Sequence, residues 1–288
     1  MAIKRISVLG ASGQLGKSFQ HLSHHFPFEI EFYDRSQVDI TQVADIENLS
    51  SDLIINCAAY TAVDLAEDES GEAYQINRDA VQNIAQHCKS RKIPLIHFSS
   101  DYVYHNNLRR PLKESDPTRP KGVYARSKLA GERKITAICD YYYIFRVSWL
   151  YGPFGTNFPK TMLRLAKTRD ALSIVNDQIG APTNTLDLAG MILQLCSNPG
   201  MLSGDLSGIY NYCNRGTTSW DEIARCIFAQ STDKAIDVRS IPSKDYPTKA
   251  MRPRNSRLDL SKFDRTFGIE IRDWKSAMLD CLTFLKTN

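Results

Sequence analysis

The stretch I-K-R-I-S-V-L-G-A-S-G-Q-L-G, residues 3–16, decides the fold of this chain. Residues 3–9 alternate and then become apolar, which predicts a buried strand, and the residues after the glycines favour a helix. Glycines at such a turn let the backbone approach a pyrophosphate closely, and the N-terminus of the helix stabilises its charge. The stretch therefore predicts a dinucleotide site at Gly10, Ser12, Gly13, Gln14, Leu15 and Gly16.

Four more strand-like segments alternate with helical segments in the first half of the chain, at residues 29–33, 53–56, 94–98 and 142–147. This alternation is typical of βαβ crossovers and a parallel sheet. We therefore predict an α/β fold with a Rossmann-type doubly wound parallel sheet. An NAD(P)-binding domain is expected over residues 1–151. A smaller substrate-binding lobe, interleaved with the sheet, is expected over residues 152–288.

The second half has weaker periodicity. Apolar spacing predicts helices over 157–167 and 274–285 and another that runs through Cys196. A capping box at Ser219-x-x-Glu222 predicts the start of a further helix. Residues 208–213 and 236–241 are strand-like, and residues 245–256 are predicted to form an irregular loop.

Composition excludes several classes of protein. The 36 basic and 32 acidic residues give a net charge of +4 without long runs of one sign, so no nucleic-acid partner is predicted. Apolar runs are no longer than strands and no secretory segment is recognisable, which predicts a cytoplasmic protein without a membrane partner. Seven cysteines without a C-x-x-C pair predict reduced thiols.

The segment V-Y-A-R-S-K-L-A-G-E-R, residues 123–133, carries the most informative pair of side chains. If it is helical, Tyr124 and Lys128 lie one turn apart on one face. Two unit charges about 4 Å apart interact by about 4 kcal/mol at an effective dielectric of about 20. Lys128 is thus expected to lower the pKa of Tyr124 by up to about 3 units and make it a proton donor. The pattern alone also recurs by accident in exposed helices.

Residues after the next strands predict further cofactor contacts. Asp34 and Arg35 follow the second strand, where an acid can bind ribose hydroxyls and an arginine can hold a 2′-phosphate. The alternative is a turn with solvated charges. Because an exposed ion pair contributes little, we expect NADPH with NADH also possible. The other predicted cofactor contacts are Asp39, Ile40, Ala58, Ala59, Tyr60, Asn77 and Ser99, besides Tyr124 and Lys128.

Ordered motifs across essentially the whole chain resemble the dTDP-4-dehydrorhamnose reductase family of extended short-chain dehydrogenases. They include G-A-S-G-Q-L-G, S-S-D-Y-V-Y, Y-A-R-S-K-L-A-G-E, N-D-Q-I-G-A-P-T and R-P-R-N-S-R-L-D. The resemblance implies NAD(P)H-dependent reduction of dTDP-4-dehydro-L-rhamnose to dTDP-L-rhamnose, a precursor of cell-surface polysaccharide. It implies Tyr124 as proton donor, Lys128 holding the nicotinamide ribose, and Ser100, where the family commonly has Thr, as a hydroxyl for the substrate. Tyr104 stands where Phe is common.

The resemblance also implies a set of substrate contacts. Those that would face the sugar are Thr61, Val63, Ser100, Asp101, Tyr102 and Trp149, with Trp149 as an apolar floor under the hexose. Those around the deoxythymidine diphosphate would be Asn157, Gln178, Gly180, Pro182, Thr183 and Arg252. Arg252 would neutralise phosphate charge, because a planar guanidinium suits phosphate.

Other functions in the superfamily stay open at this point. A dehydratase typically has Asp-Glu after the hydroxyl residue, but here Asp101 is followed by Tyr102, which argues against dehydration. An epimerase would retain tightly bound NAD. The non-catalytic regulatory subunit of methionine adenosyltransferase also resembles this family and has S-S-D-Y-V, although Trp149 and D-Q-x-G-A-P-T favour a reductase.

A metal site is not predicted. His21, His24 and His25 have helical spacing but lack a nearby third ligand, which favours a surface helix end. Whether Mg²⁺ is used, and whether the protein is a monomer or a homodimer, the sequence leaves open.

Overall fold

The computed structural model describes residues 3–105, 107–198, 200–231 and 235–287. The strands are β1 (Arg5–Leu9), β2 (Glu29–Tyr33), β3 (Leu53–Asn56), β4 (Leu95–Ser100), β5 (Tyr142–Val147), β6 (Leu150–Tyr151), β7 (Ala171–Val175), β8 (Ile179–Gly180), β9 (Thr183–Asn184), β10 (Gly208–Tyr212), β11 (Thr218–Ser219), β12 (Asp237–Ile241) and β13 (Asn255–Ser256). The α-helices are α1 (Gln14–Leu22), α2 (Val43–Glu47), α3 (Ser70–Tyr74), α4 (Val81–Arg91), α5 (Val123–Ile138), α6 (Phe158–Ala166), α7 (Thr185–Ser197), α8 (Trp220–Ser231), α9 (Ser261–Phe267) and α10 (Trp274–Thr287).

The centre of the molecule is a parallel sheet of six strands in the order β10-β5-β4-β3-β1-β2. The chain leaves β1 toward β2 and returns to β3 on the other side of β1, so the strand order reverses there. In open parallel sheets such a reversal leaves a crevice at the carboxyl ends of the strands. The predicted Rossmann-type α/β fold class is confirmed, and three strands have the predicted bounds, 29–33, 53–56 and 142–147.

Several elements escaped prediction. The strand β7 and the helix α9 were not predicted, and β13 lies inside the segment 245–256 predicted to be irregular. The strands β6, β8, β9, β11 and β13 are two residues each, too short to show any periodicity. Their pairing depends on tertiary contacts, which local sequence does not encode.

Elements from the second half contribute directly to the central body. Strand β10 pairs in parallel with β5 and completes the edge of the sheet. A separate apolar cluster joins α6, α8 and α10 through side chains that include Met162, Ile223, Ile227, Met278 and Leu282. The division of the chain into domains at residue 151 stays a prediction.

Helix α5 is held to the sheet by a buried ion pair. Arg146 on β5 donates two hydrogen bonds to Glu132 on α5, at 2.9 and 2.6 Å, and both side chains are at most 4% exposed. The Arg146 guanidinium also lies 4.7 Å from the ring centre of Tyr104, whose hydroxyl donates to Asn211 Oδ1 on β10. The tyrosine at position 104 therefore supplies a hydrogen bond that a phenylalanine would lack.

Close approach of α5 to the preceding helices depends on a glycine. A Cβ atom at Gly131 would lie 2.1 Å from the carbonyl oxygen of Asn77. Asn77 belongs to a π-helical turn (Gln75–Ala80) that joins α3 to α4. The absence of a side chain at Gly131 therefore lets the backbone of α5 approach the backbone of the π turn closely.

Two findings concern the cysteines and the lengths of the apolar helices. All seven cysteines are free thiols. Among the described residues, no helix has the length and apolar character needed to cross a bilayer.

Breaking the buried pair should destabilise the fold strongly. Arg146→Ala leaves Glu132 buried without its partner, so we expect the free energy of unfolding to fall by about 3–5 kcal/mol. Urea denaturation measures this. The matched control is Arg239→Ala, which removes an exposed pair with Asp237 and should change stability by less than about 1 kcal/mol. Equal effects of the two substitutions would contradict a structural role for the buried pair.

Candidate active site

A cleft lies where the carboxyl ends of β1 and β3 meet. Gly10 has a left-handed φ of +78°, and a Cβ atom there would lie 2.6 Å from the backbone nitrogen of Ala58. Only glycine fits this turn without strain. The cavity beside it has a volume of about 230 Å³ and is lined by Gly10, Ser12, Gly13, Arg35, Val38, Asp39, Ile40, Thr41, Cys57, Ala58, Ala59 and Ile76. We call it the cofactor cleft, because eight of these residues are predicted cofactor contacts.

The rest of the glycine turn packs the helix rather than lining the cavity. Leu15 lies in the core, and a Cβ atom at Gly16 would meet the carbonyl oxygen of Gly10 at 2.4 Å. Gln14 accepts a hydrogen bond from Asn157 Nδ2 at 2.6 Å. These residues shape the turn, whose free space suits the backbone approach of a pyrophosphate.

The two charged residues after β2 have different surroundings. Asp34 Oδ1 accepts hydrogen bonds from the amide and the hydroxyl of Ser36, at 2.8 and 2.6 Å, and these bonds lower the pKa of Asp34. Arg35 lines the cofactor cleft with a side chain that is 73% exposed, 3.6 Å from Asp39. The guanidinium therefore faces the cleft while the Asp34 carboxylate caps its own turn.

Asn77 and Tyr60 form a buried brace next to the cleft. Asn77 Oδ1 accepts from the Tyr60 amide, and Asn77 Nδ2 donates to the Tyr60 carbonyl and to Ser127 Oγ, all at 3.0 Å. The Tyr60 hydroxyl donates to Glu69 at 2.7 Å. Because these polar groups are engaged within the protein, they position the loop after β3 and do not line the cofactor cleft.

The predicted Tyr124–Lys128 pair is present on α5, but its electrostatics differ from expectation. Lys128 is 2% exposed and its Nζ donates to the carbonyl oxygen of Phe98 at 2.7 Å. Burial lowers the pKa of Lys128 to about 8. Burial also raises the pKa of Tyr124 to about 12, although hydrogen bonding with Ser100 opposes the rise. The expected lowering of the Tyr124 pKa is wrong in this structure, since spacing reveals a neighbouring charge but not the loss of water.

The strand end of β4 surrounds the phenol. Ser100 Oγ donates to Asp101 Oδ1 at 3.2 Å and accepts from the Tyr102 amide at 3.2 Å. The Tyr102 ring meets the Tyr124 ring edge-on with centres 5.8 Å apart. Asp101 is 2% exposed, and burial raises its pKa to about 7, although the hydrogen bond from Ser100 opposes the rise. The hydroxyl of Ser99 is also buried and has no partner within the described chain.

A second cavity, of about 660 Å³, is larger than the cofactor cleft. It is lined by His105, Asn107, Lys121, Gln178, Ser243, Lys244, Tyr246, Pro247, Thr248, Lys249, Met251, Arg252 and Arg254. We call it the basic cleft, because each ionisable side chain among these described lining residues except Tyr246 is a base. Such a surface attracts an anionic ligand.

Two ion pairs connect the basic cleft to the first half of the chain. Asp64 accepts from Arg252 Nη2 at 2.6 Å and from the Ala250 amide at 2.9 Å. Lys249 pairs with Asp68. The predicted sugar-facing residues Thr61 and Val63 come just before Asp64 in the same loop, and both are at least partly exposed. The two ion pairs therefore connect the loop that carries them to residues of the basic cleft.

Trp149 has an unusual backbone. Its φ of +48° lies in the left-handed region that residues other than glycine rarely adopt. Its indole stacks on Trp220 with ring centres 4.1 Å apart, and a Cβ atom at Gly180 would lie 2.9 Å from it. Pro182 lines a small cavity of about 90 Å³ with both tryptophans. The structure therefore brings Trp149 close to Gly180 and Pro182.

Comparison with known proteins gives one consistent result. The profile described as RmlD substrate binding domain matches residues 4–287. The chain belongs to this family. A dTDP-4-dehydrorhamnose reductase of Sinorhizobium fredii is 38% identical over 283 residues, covering 95% of each chain, and that of Escherichia coli K12 is 36% identical with 98% coverage of both.

Solved structures of dTDP-4-dehydrorhamnose reductases have the same fold. A dTDP-4-dehydrorhamnose reductase from Clostridium acetobutylicum superposes with a TM-score of 0.92 at 34% identity, covering 98% of this chain and 99% of that one. The Bacillus anthracis enzyme, solved in complex with NADP, superposes with a TM-score of 0.91 at 33% identity and the same coverage.

For two residues expected at the nucleotide in the RmlD family, the structure gives other surroundings. Asn157 caps α6 by accepting from the Lys160 amide, and its Nδ2 donates to Gln14 and to the Gly152 carbonyl. Thr183 is fully buried, and its hydroxyl donates to the Ser148 carbonyl at 2.6 Å. Neither lines the basic cleft, because their hydrogen-bonding groups hold neighbouring backbone and side chains. Of the others, Gln178 and Arg252 do line it.

Sequence reasoning missed several cleft residues of this RmlD family member. The lysines at positions 121, 244 and 249 and the half-exposed Tyr246 and Met251 line the basic cleft, yet none was predicted. A signal was present in the density of basic residues between 244 and 254. No sequence pattern indicated Trp220, because the residues that it contacts are distant from it in the sequence.

No metal site is apparent in the described part of the chain, where no group of three or more His, Cys, Asp or Glu side chains is suited to hold an ion. The imidazole of His21 instead meets the ring of Phe284 edge-on with centres 5.3 Å apart. His24 and His25 lie 3.8 Å apart between ring centres.

The buried lysine should lower stability in a pH-dependent way. Its pKa falls from 10.5 to about 8 on folding, so between these values the unfolded chain binds more protons and stability rises with pH. Lys128→Met should therefore stabilise the fold by about 2–3 kcal/mol near pH 7, with a gain that shrinks toward zero by about pH 10.

Urea denaturation across this pH range tests the effect of Lys128. The control is Lys134→Met, a partly exposed lysine on the same helix, for which no comparable gain is expected. If Lys128→Met had the same stability and pH dependence as the control, the ammonium would not be penalised by burial.

Proposed function

We propose that the protein is a dTDP-4-dehydrorhamnose reductase that uses NADPH, with NADH as a weaker alternative. The observation that carries the proposal is the position of Tyr124. Tyr124 packs against the same small apolar cluster as Ile76, which lines the cofactor cleft. Its ring also meets that of Tyr102, whose pKa is raised by burial, although the charge of Arg252 in the basic cleft opposes the rise. A proton donor at this position serves a reaction between a bound dinucleotide and a bound anion.

The fit of a dinucleotide rests on the glycine turn and the cofactor cleft. Any side chain at position 10 would fill the space beside the glycine turn. Arg35 offers a guanidinium to a 2′-phosphate. The unpartnered buried hydroxyl of Ser99 and the spare protons of Lys128 Nζ are further groups that would bind it. When bound, the reduced nicotinamide supplies hydride to the C4 carbonyl of the sugar.

Tyr124 supplies the proton. Because its pKa is raised, the phenol is fully protonated at neutral pH, which a donor in the reductive direction requires. An alkoxide is a stronger base than a phenolate, so proton transfer from Tyr124 to the sugar oxygen remains favourable. If its hydroxyl rotates away from Asp101, Ser100 can donate a hydrogen bond to the same oxygen, and a protonated Lys128 stabilises the phenolate that remains.

The basic cleft supplies substrate binding. Arg252 keeps guanidinium protons beyond those bound by Asp64, and it can bind the diphosphate with neighbouring lysines. The indole of Trp149 offers an apolar face of the kind that packs against a hexose. Thr61, Val63, Asp101 and Tyr102 complete the proposed sugar site, and Gln178 lies on its nucleotide side.

The first test is oxidation of NADPH on addition of dTDP-4-dehydro-L-rhamnose. Tyr124→Phe should bind NADPH normally yet lower kcat by at least about 100-fold, the usual scale for a lost general acid. Absorbance at the NADPH band gives turnover, and fluorescence titration gives cofactor affinity. Near-normal turnover by the variant would remove Tyr124 from the mechanism. Cofactor binding without any turnover by the native protein would favour a non-catalytic regulatory role.

Cofactor preference should depend on the residues after β2. Because the Arg35 pair is exposed, we expect a preference for NADPH of about 5–10-fold in kcat/KM. Arg35→Ala should lower kcat/KM for NADPH much more than for NADH, and Asp34→Ala should do the reverse. Steady-state kinetics with both cofactors measures this. An equal effect of Arg35→Ala on the two cofactors would make Arg35 a solvated turn residue.

A further inference from the structure

We infer that Trp220, at the start of α8, is a positioning residue that fixes both the sugar floor and the nucleotide side of the substrate site. The inference rests on the proposed function and deepens it. Trp220 does not line the basic cleft, but it contacts two residues that are proposed to bind substrate, Trp149 and Gln178. Its effect on substrate would therefore pass through them.

The first contact is the stack with Trp149. The two indoles lie 25° from parallel with centres 4.1 Å apart, and the ring of Phe158 also packs against Trp220 with centres 4.7 Å apart. Trp220 thus contacts both a residue of α6 and the proposed sugar floor. Its ring decides how far the Trp149 indole can tilt.

Trp149 needs this support because its backbone is strained. A left-handed φ in a residue with a side chain persists only where the surroundings impose it. Thr183 contributes by donating from its amide to the Trp149 carbonyl at 3.2 Å and from its hydroxyl to Ser148. Gly180 leaves room for the indole. These contacts fix the backbone, whereas the stack on Trp220 fixes the ring.

The second contact orients Gln178. Trp220 Nε1 donates to Gln178 Oε1 at 3.1 Å, and Gln178 Nε2 donates to Ser243 Oγ at 3.1 Å. Because an indole N–H is only a donor, the amide oxygen must face Trp220 and the amide nitrogen must face Ser243. Gln178 and Ser243 both line the basic cleft. The Trp220 indole therefore fixes both the Trp149 ring that is proposed to lie under the sugar and the Gln178 amide that is proposed to lie at the nucleotide.

Two substitutions separate these contacts. Trp220→Phe keeps an aromatic ring for the stack but removes the N–H, so it should weaken dTDP binding by about 3–10-fold, the scale of one neutral hydrogen bond, and leave kcat within about 2-fold. Trp220→Leu removes both contacts, so it should weaken dTDP binding similarly and also lower kcat by about 10-fold or more, because the sugar is misplaced. Calorimetry with dTDP and steady-state kinetics measure the two effects.

The third tryptophan provides a matched control and a spectroscopic reading. Trp274 is buried in the same apolar cluster as Trp149 and Trp220 but is not stacked with them. Trp274→Phe should leave dTDP affinity and kcat within about 2-fold, since Trp274 contacts neither proposed substrate residue. It also leaves only the stacked pair, whose coupled near-ultraviolet circular dichroism should be present in this variant and lost when Trp220→Leu is added.

The outcomes are distinct. Wild-type-like dTDP binding and kcat in Trp220→Leu would overturn the inference, as would equal kinetic effects of Trp220→Phe and Trp220→Leu. A parallel loss of NADPH affinity would also overturn it, since that would indicate general destabilisation. If the native protein showed no turnover, the proposed function would fail, while dTDP binding and the dichroism of the variants would still decide the role of Trp220.

Discussion

The buried ion pair between Glu132 and Arg146 is the constraint on which the rest of the site depends. It fixes α5 to β5, and α5 carries Lys128 about one turn and Tyr124 a little over two turns before Glu132. The same carboxylate raises the pKa of Lys128 against the larger effect of burial. Glu132 therefore affects both the position of α5 and the pKa of its buried lysine. Removing one partner of such a buried pair leaves an uncompensated charge, which is strongly unfavourable.

Much of the polar chemistry around the two clefts supports structure instead of facing a ligand. Asn77 braces the Tyr60 loop, Asn157 caps α6, and Thr183 holds the backbone beside Trp149. Each of these residues has its hydrogen bonds satisfied within the protein. The side chains that could bind a ligand are those with exposed groups or with further hydrogen-bond donors, such as Arg35 and Arg252. A buried, satisfied side chain and an exposed, convergent one therefore have separable roles.

Features that leave a pattern in neighbouring residues could be predicted from the sequence. Alternating apolar strands and the glycine turn predicted the parallel sheet, and helical spacing brought Tyr124 and Lys128 to one face of α5. The sequence was insufficient where burial or distant contacts decide the outcome. Burial raises the pKa of Tyr124, and the spacing of residues in the sequence does not reveal burial. The Trp149–Trp220 stack joins residues with no common local pattern, so only the folded chain reveals it.

The pairing of β10 with β5 has a consequence for synthesis on the ribosome. The sheet cannot be completed until residues 208–212 have emerged, although β5 ends at Val147. During that interval the growing chain presents an unpaired strand edge with apolar neighbours, which is a site for wrong pairing with another nascent chain. Until β10 emerges and pairs with β5, this edge therefore stays open to association with other chains.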